Sequence, residues 1–206
     1  VDNNSIYIQD IKDQLKDYKD VIILDNNTNS KYELGAYNVG IKYIINNDLI
    51  DKYNYCIFTQ DTFILKNKYD FNNLINNNIK VSSIMYNPMD YAINLVDIYI
   101  KQLNLSEYHS NARLASHNSF ILATNKLQEF INYSDNLIIN CKLHSQACER
   151  IIGVILYKIN NCSNHDIDGN NFEVKYNIFQ VNLYDQINDY YFVKKVFAKN
   201  DSTIDI

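Results

Sequence analysis

The feature that most constrains this chain is the alternation of short apolar runs with stretches whose apolar residues recur every three or four positions. Val21–Leu24 (VIIL), Tyr55–Thr59 (YCIFT) and Ser119–Ala123 (SFILA) have the length and β-branched or aromatic content of buried strands. Ile79–Tyr86 alternates like a strand, and the tail carries strand-like FEVKY (172–176) and YYFVKKVF (190–197). Between them, Ile8, Ile11, Leu15 and Tyr18 mark one amphipathic helix, and Leu34, Tyr37, Ile41, Ile44 and Ile45 mark another. Further helices are expected over Met89–Leu103, from about Asn125 to Tyr133, and from about Ser145 to Asn160, the last with the stripe Cys148, Ile152, Ile155, Ile159. Such alternation predicts an α/β sandwich with a mainly parallel central sheet flanked by helices. With 4 Gly, the single Pro88 and no repeat or linker, residues 1–206 read as one domain. The chain opens on a helix where a nucleotide-binding α/β unit opens on a strand. Either a strand lies upstream of this sequence, or the first helix is a separate decoration.

The charge and apolar content exclude several classes. Lys plus Arg is 19 and Asp plus Glu 24, a net charge of −5 with no basic block, so no nucleic-acid partner is expected. Apolar residues make up 47%, with 18 Tyr and 9 Phe, enough for a real core and too many for global disorder. The longest apolar stretch, Ile151–Tyr157, is too short for a membrane span, and the first residues lack the basic start and apolar run of a secretion signal. Cys56, Cys141, Cys148 and Cys162 form no C-x-x-C pair, which points to free thiols in a reducing compartment, hence a cytoplasmic protein. Roughly one residue in six is Asn, Ile and Lys abound, and Arg occurs only at 113 and 150. These residues have A/T-rich codons and suggest an A/T-rich genome, such as that of some giant viruses, protists or clostridia. A viral protein would then work in host cytoplasm. The same bias makes any single Asn weak evidence of function.

In open α/β sheets, ligands sit beyond the carboxyl ends of the strands. The polar groups expected there are Asp25-Asn26-Asn27 after the first strand and Gln60-Asp61-Thr62 after the second. Neither G-x-x-x-x-G-K-[ST] nor G-x-G-x-x-G is present, so a bound diphosphate has no glycine-rich cradle. The Asp25-Asn26-Asn27-Thr28 loop lacks the second carboxylate that an aspartyl phosphatase nucleophile loop needs. A divalent cation on a strand-end carboxylate is one solution, and Asp61 fits that role. The same position also suits an Asp that caps a turn.

The run from Asp20 through DVIILDNNTNSKYELGAYNVGIKYI to YNYCIFTQDTFIL resembles the donor-binding half of GT-A-fold glycosyltransferases, over about residues 20–123. The resemblance implies a Rossmann-type GT-A sandwich whose remainder, about 124–206, is an acceptor half and tail. It places Asp25, with Asn26 and Asn27, at the nucleoside, and Tyr32, Glu33 and Asn38 on the following helix. Gln60-Asp61-Thr62 falls at the metal-binding D-x-D, where only Asp61 is acidic in this chain. SHNSFILA (Ser116–Ala123) resembles the segment closing over sugar and acceptor, implying substrate contacts from His117, Asn118 and Ser119. HSQACERIIG implies Glu149 as general base and Arg150 as a substrate ligand, although a solvated surface pair fits the same pattern. His165 corresponds in order to the late His that completes the metal or phosphate site, with His144 as an alternative and a surface-loop His as the plain one. Asp166 and Asp168 lack the remaining ligands of a calcium loop, and Lys194 and Lys195 could reach a diphosphate or lie on a solvated strand face.

The expectation is therefore a hexosyltransferase-like enzyme moving a sugar from a nucleotide diphosphate donor (a UDP- or GDP-sugar) to a hydroxyl of a glycan or glycoprotein. Mn2+ or Mg2+ would assist at Asp61. Glu149 acts as base if anomeric configuration inverts and only orients the acceptor if it is retained. The rival expectations are a non-catalytic nucleotide- or carbohydrate-binding module and a structural interaction domain.

Overall fold

A computed structural model describes Val1 and residues 7–60, 63–65, 72, 81–82, 92–109, 115, 118–160, 179–180 and 192–194. Asp61, Thr62, His117, His165, Asp166, Asp168 and Lys195 lie outside the described residues, as do Ser116 and the FEVKY segment.

Helices α1 (Ile8–Leu15), α2 (Tyr32–Asn46), α3 (Ile93–Gln102), α4 (Ser106–His109), α5 (Leu127–Ser134) and α6 (Lys142–Ile159) alternate with strands β1 (Tyr55–Phe58), β2 (Phe63–Leu65), β3 (Val81–Ser82), β4 (Phe120–Ala123), β5 (Phe179–Gln180) and β6 (Phe192–Lys194). The molecule is thus of mixed helix and strand, as the alternation predicts. Its described ladders run otherwise than expected. In the sheet ordered β1-β4-β3, β4 is antiparallel to both neighbours, and β2 is antiparallel to β6; β5 and β6 form the parallel pair. Apolar runs reveal strands but not their direction. Here the last strand of the first sheet inserts backwards between two strands that run the same way, so the carboxyl ends of β1 and β3 face one sheet edge.

The first apolar run also departs from expectation. Val21–Leu24 forms no ladder strand, and Val21 and Ile22 are 42% and 56% exposed. Four apolar residues suffice for a strand only where a neighbouring strand offers a free edge. Val21, Ile22 and Ile23 instead line an open groove together with residues of α1, α2 and β1.

The core sits around α6. All of Ile151–Tyr157 is buried, so the longest apolar run is a stretch of α6 enclosed on every side, while the helix start at Lys142 and Leu143 is exposed. All four residues of β4 are buried, and Phe120 on it stacks on its cross-strand partner Phe58 at 4.5 Å between ring centroids. Phe130 of α5 and Tyr37 of α2 complete this aromatic group, at 5.6 Å from Phe120 and 5.1 Å from Phe58. Among the described residues no helix is long and apolar enough to cross a membrane.

Two polar devices fix α2. On one side, Asn38 Nδ2 donates to the Ser134 carbonyl at 3.1 Å while Ser134 Oγ donates to Asn38 Oδ1 at 2.7 Å, a buried reciprocal pair that pins α2 to α5. On the other, the turn before α2 is closed by the buried Asn26, whose amide donates to the Ser30 carbonyl at 2.8 Å and accepts from Thr28 N–H and Thr28 Oγ at 3.1 and 2.6 Å. Ser30 Oγ in turn accepts from the Ile139 N–H at 3.1 Å, joining the turn to the segment before α6. Gly35 lies directly under this turn. A Cβ there would overlap the Ser30 carbonyl oxygen and approach Asn26 Nδ2 to 2.9 Å.

Gly35→Ala is therefore expected to destabilise the fold by about 3 kcal/mol, the upper end of ordinary overpacking costs, despite a helix-propensity gain of about 1 kcal/mol. Denaturant midpoints of Gly35→Ala and Gly40→Ala check this. The Gly40 Cβ would meet Val1 Cγ2 at an ordinary 3.6 Å, so that variant is expected to be neutral or stabilised.

Candidate functional site

A groove of about 990 Å³ is lined by residues of α1, residues 21–23, α2 and β1. Its walls are mainly aliphatic, and its polar lining includes Tyr32, Glu33, Gln60 and Lys142. Chain geometry at both flanks creates this polar end. Tyr32 opens α2 in the left-handed region, at φ 57°, a sparsely populated conformation for an aromatic residue. Glu33 follows in the first turn of α2, where the helix dipole favours a carboxylate.

Glu33 collects donors from three other segments. Gln60, just beyond β1, donates its Nε2 to Oε1 at 2.5 Å. Ser145 Oγ, from α6, donates to Oε2 at 2.9 Å, and Asn118 Nδ2, just before β4, lies 3.4 Å from the same oxygen. Asn118 has φ 53°, a left-handed position that Asn tolerates better than most side chains, and its amide nitrogen also approaches the Ser145 carbonyl at 3.4 Å. Its Oδ1 is buried and has no hydrogen-bond partner among the described residues.

The segment leading to Asn118 is docked on α6, because the Ala115 N–H donates to the Glu149 carbonyl at 2.9 Å and the Asn118 N–H to the Ala115 carbonyl at 2.8 Å. Ser145 and Glu149 are four residues apart on α6 and so share one helix face. Glu149 and Arg150 are both half-buried there, with partners of their own.

Of the residues expected at a site, Glu33, Gln60 and Asn118 come together, Tyr32 flanks them on the groove, and Glu149 lies one helical turn beyond Ser145. Others are elsewhere. Asp25 is exposed and 4.0 Å from Lys12, Asn27 is exposed, and the amides of Asn26 and Asn38 are engaged in the two devices that hold α2. Ser119 is fully buried beside Asn118. His144 meets Tyr99 instead, its Nδ1 3.1 Å from Tyr99 Oη, which donates to the Ile138 carbonyl at 3.2 Å. Ser145 is the site residue that sequence reasoning missed. Its signal was present: it continues the buried stripe of Cys148, Ile152, Ile155 and Ile159 one step back, and a polar residue in such a stripe needs a buried partner. Among the described residues no group of three or more His, Cys, Asp or Glu could hold a metal ion; Asp61 and His165 are not among them.

The electrostatics follow from burial around one carboxylate. Burial, then the negative charges of Glu33 and Glu149, push the Cys148 thiol far above its ordinary 9.0. Burial and Glu33 do the same to the Tyr37 phenol, and burial alone pushes Cys56 up to about 11. Cys148 is therefore a neutral packing group and not a nucleophile.

These acids keep protons in the fold that the unfolded chain releases. Their stabilisation is complete below about pH 9 and is lost as the pH climbs towards the raised folded values. Each group costs up to about 1.4 kcal/mol per pH unit in that window. Melting temperatures between pH 8 and 11 are expected to fall steeply, and Cys148→Ala to flatten the fall. A slope identical to wild type in that variant would count against the assignment. Compared with protein families, with curated proteins and with solved structures, the chain matches none of them.

Proposed function

We propose that the protein is a GT-A-like glycosyltransferase that moves a sugar from a nucleotide diphosphate donor to a hydroxyl of a glycan or glycoprotein acceptor. The observation that carries the reading is the convergence of Glu33, Gln60 and Asn118 at the carboxyl end of β1, with Glu149 one helical turn from their partner Ser145. Three segments that the family resemblance assigns to donor, sugar and acceptor thus meet at one sheet edge. The common direction of β1 and β3, with β4 reversed between them, supports a GT-A-like sandwich opening at that edge.

The oxygens of Glu33 are already occupied by donors from Gln60, Ser145 and Asn118, so the ligand for a cation at this edge would be the carboxylate of Asp61, a hard oxygen donor that suits Mn2+ or Mg2+ better than zinc. Asp61, next in the chain after Gln60, would hold the cation, which when bound supplies Lewis-acid stabilisation of the departing diphosphate. The acceptor oxygen forms a bond to the anomeric carbon as the bond from that carbon to the diphosphate oxygen breaks. Glu149 takes the hydroxyl proton in an inverting transfer and orients the acceptor in a retaining one. The polar groove end orients the reacting partners.

Uridine or guanosine diphosphate is expected to raise the melting temperature more with manganese than without. A ligand at a hundredfold excess over its Kd adds about 2.7 kcal/mol, and Asp61→Asn should abolish the manganese increment. No shift with any nucleotide diphosphate would overturn the reading. Glu149→Gln keeps size and polarity but removes basicity, so transfer should fall by about 10²–10⁴-fold with nucleotide affinity unchanged. Wild-type turnover in that variant would remove Glu149 as base. One observation favours a non-catalytic nucleotide- or carbohydrate-binding module: positions 60 and 62 are Gln and Thr where a paired carboxylate would hold the metal more firmly. Absence of both transfer and donor hydrolysis in protein that binds nucleotide would select it.

A further inference from the structure

We infer that the groove is a binding site for a fatty acid, whose aliphatic chain lies along α2 and whose carboxylate meets Lys142. Such a site is independent of the glycosyltransferase reading, which uses only the polar end of the groove.

The groove has the size and shape of a small-molecule site. Its volume of about 990 Å³ falls within the ordinary range of about 300–1,000 Å³. Its lining along α2 is one continuous stripe, Glu33, Ala36, Tyr37, Gly40, Ile41 and Ile44, whose members share a helix face. At a rise of 1.5 Å per residue this stripe runs for about 16 Å. One extended acyl chain has that reach, since two of them end to end fill the ~30 Å hydrocarbon core of a bilayer. Midway along the stripe, a Cβ on Gly40 would come within contact distance of Val1 Cγ2 only, at 3.6 Å, so the space over the helix is open there.

The walls call for a ligand without polar groups along its length. Ile8, Ile11 and Leu15 all line the groove, yet α1 buries none of its residues. Val21, Ile22 and Ile57 line it too and are exposed. Apolar side chains gathered in one depression and left open to water mark a binding site. A sugar or a base needs hydrogen-bond partners that aliphatic walls do not offer. An extended peptide brings an N–H and a C=O with every residue, and the helical walls cannot pair them. An acyl chain carries no such groups.

Charge selects the head. Glu33 and Lys142 are the charged residues of the lining, and they belong to the same end of the groove. Glu33 opens the α2 stripe and accepts from Ser145 Oγ at 2.9 Å, while Lys142 lies three residues before Ser145, one turn away on α6. The Glu33 oxygens are occupied by Gln60, Ser145 and Asn118. Lys142 is exposed and has no ion pair or side-chain hydrogen bond among the described residues. The charge open to a ligand is therefore positive, and the complementary head is anionic. A cationic head would find its carboxylate already engaged.

The test is displacement of a fluorescent fatty acid, dansylundecanoic acid, from the purified protein by octanoate, decanoate and dodecanoate below their micelle concentrations. Affinity should rise with chain length, by up to about fourfold per added methylene. Equal affinity across the series would overturn the acyl site. Gly40→Leu places an apolar side chain in the open middle of the groove, and Ile22→Asp places a charge in its wall at a position 56% exposed, where folding tolerates it. Each should weaken dodecanoate at least tenfold; wild-type affinity in the two folded variants would overturn the location. Lys142→Gln should weaken dodecanoate about two- to fivefold, as an exposed ion pair does, and leave dodecanol unchanged. Equal effects on acid and alcohol would overturn the head assignment. Two other occupants have signatures of their own. Dimerisation that Ile22→Asp abolishes, without dodecanoate binding, gives the groove to a second copy of the chain. Sedimentation with phosphatidylglycerol vesicles, without binding of monomeric dodecanoate, gives it to a lipid surface. Either result overturns the fatty-acid site.

Discussion

A carboxylate half withdrawn from water has to be supplied with donors, and where those donors come from decides which parts of a chain are held together. Glu33 draws on Gln60, Asn118 and Ser145, which lie 27, 85 and 112 residues away in sequence. The start of α2, the end of β1, the approach to β4 and the face of α6 are thereby joined at one point. Hydrogen bonds to a charged group are worth about 1.5–3 kcal/mol each, more than neutral ones. Their directionality adds what apolar packing cannot: a fixed distance between strand ends and helix start. The aromatic group of Tyr37, Phe58, Phe120 and Phe130 supplies bulk cohesion beneath this point.

The position of Glu33 depends on how closely α2 approaches the turn before it. Gly35 lets the helix backbone lie against the Ser30 carbonyl, and Asn26 holds that carbonyl in place from the other side. Any larger residue at 35 pushes α2 away from the turn and carries Glu33 with it. The left-handed Tyr32 belongs to the same construction, since the chain must turn sharply between Ser30 and the helix axis. A closely approached glycine, a buried Asx turn and a strained aromatic residue thus together aim one side chain.

Much of this fold was legible in the sequence where periodicity was long. The stripes of α2, α5 and α6 and the runs of β1 and β4 lie within a few residues of their expected places. Where the signal was short, it failed for physical reasons. Val21–Leu24 has strand composition but no ladder partner, and composition cannot report whether an edge is available. The direction of β4 is set by the path of the chain across the sheet, which apolar content does not encode. Around the Glu33 carboxylate, Gln60 and Asn118 had been singled out as expected site residues, and the fold brings the three together. Ser145 had not been singled out, because its meaning depends on which buried partner α6 brings it against.

The abundance of Asn made each one uninformative alone, yet the fold separates them by what their two ends meet. Asn26 and Asn38 have both amide ends engaged by protein and are buried, which is the behaviour of a structural latch. Asn27 is exposed, where a side chain costs nothing to solvate. Asn118 differs from all three: its nitrogen is engaged, its oxygen is not, and water is excluded from it. Asn160, which follows α6, shares this pattern: its nitrogen donates to the Leu156 carbonyl and its oxygen is buried without a partner among the described residues. What separates Asn118 from Asn160 is therefore not the unmet oxygen but the neighbour of its nitrogen, since Asn118 lies against the Glu33 carboxylate that ties four segments together, whereas Asn160 only closes the last turn of its own helix.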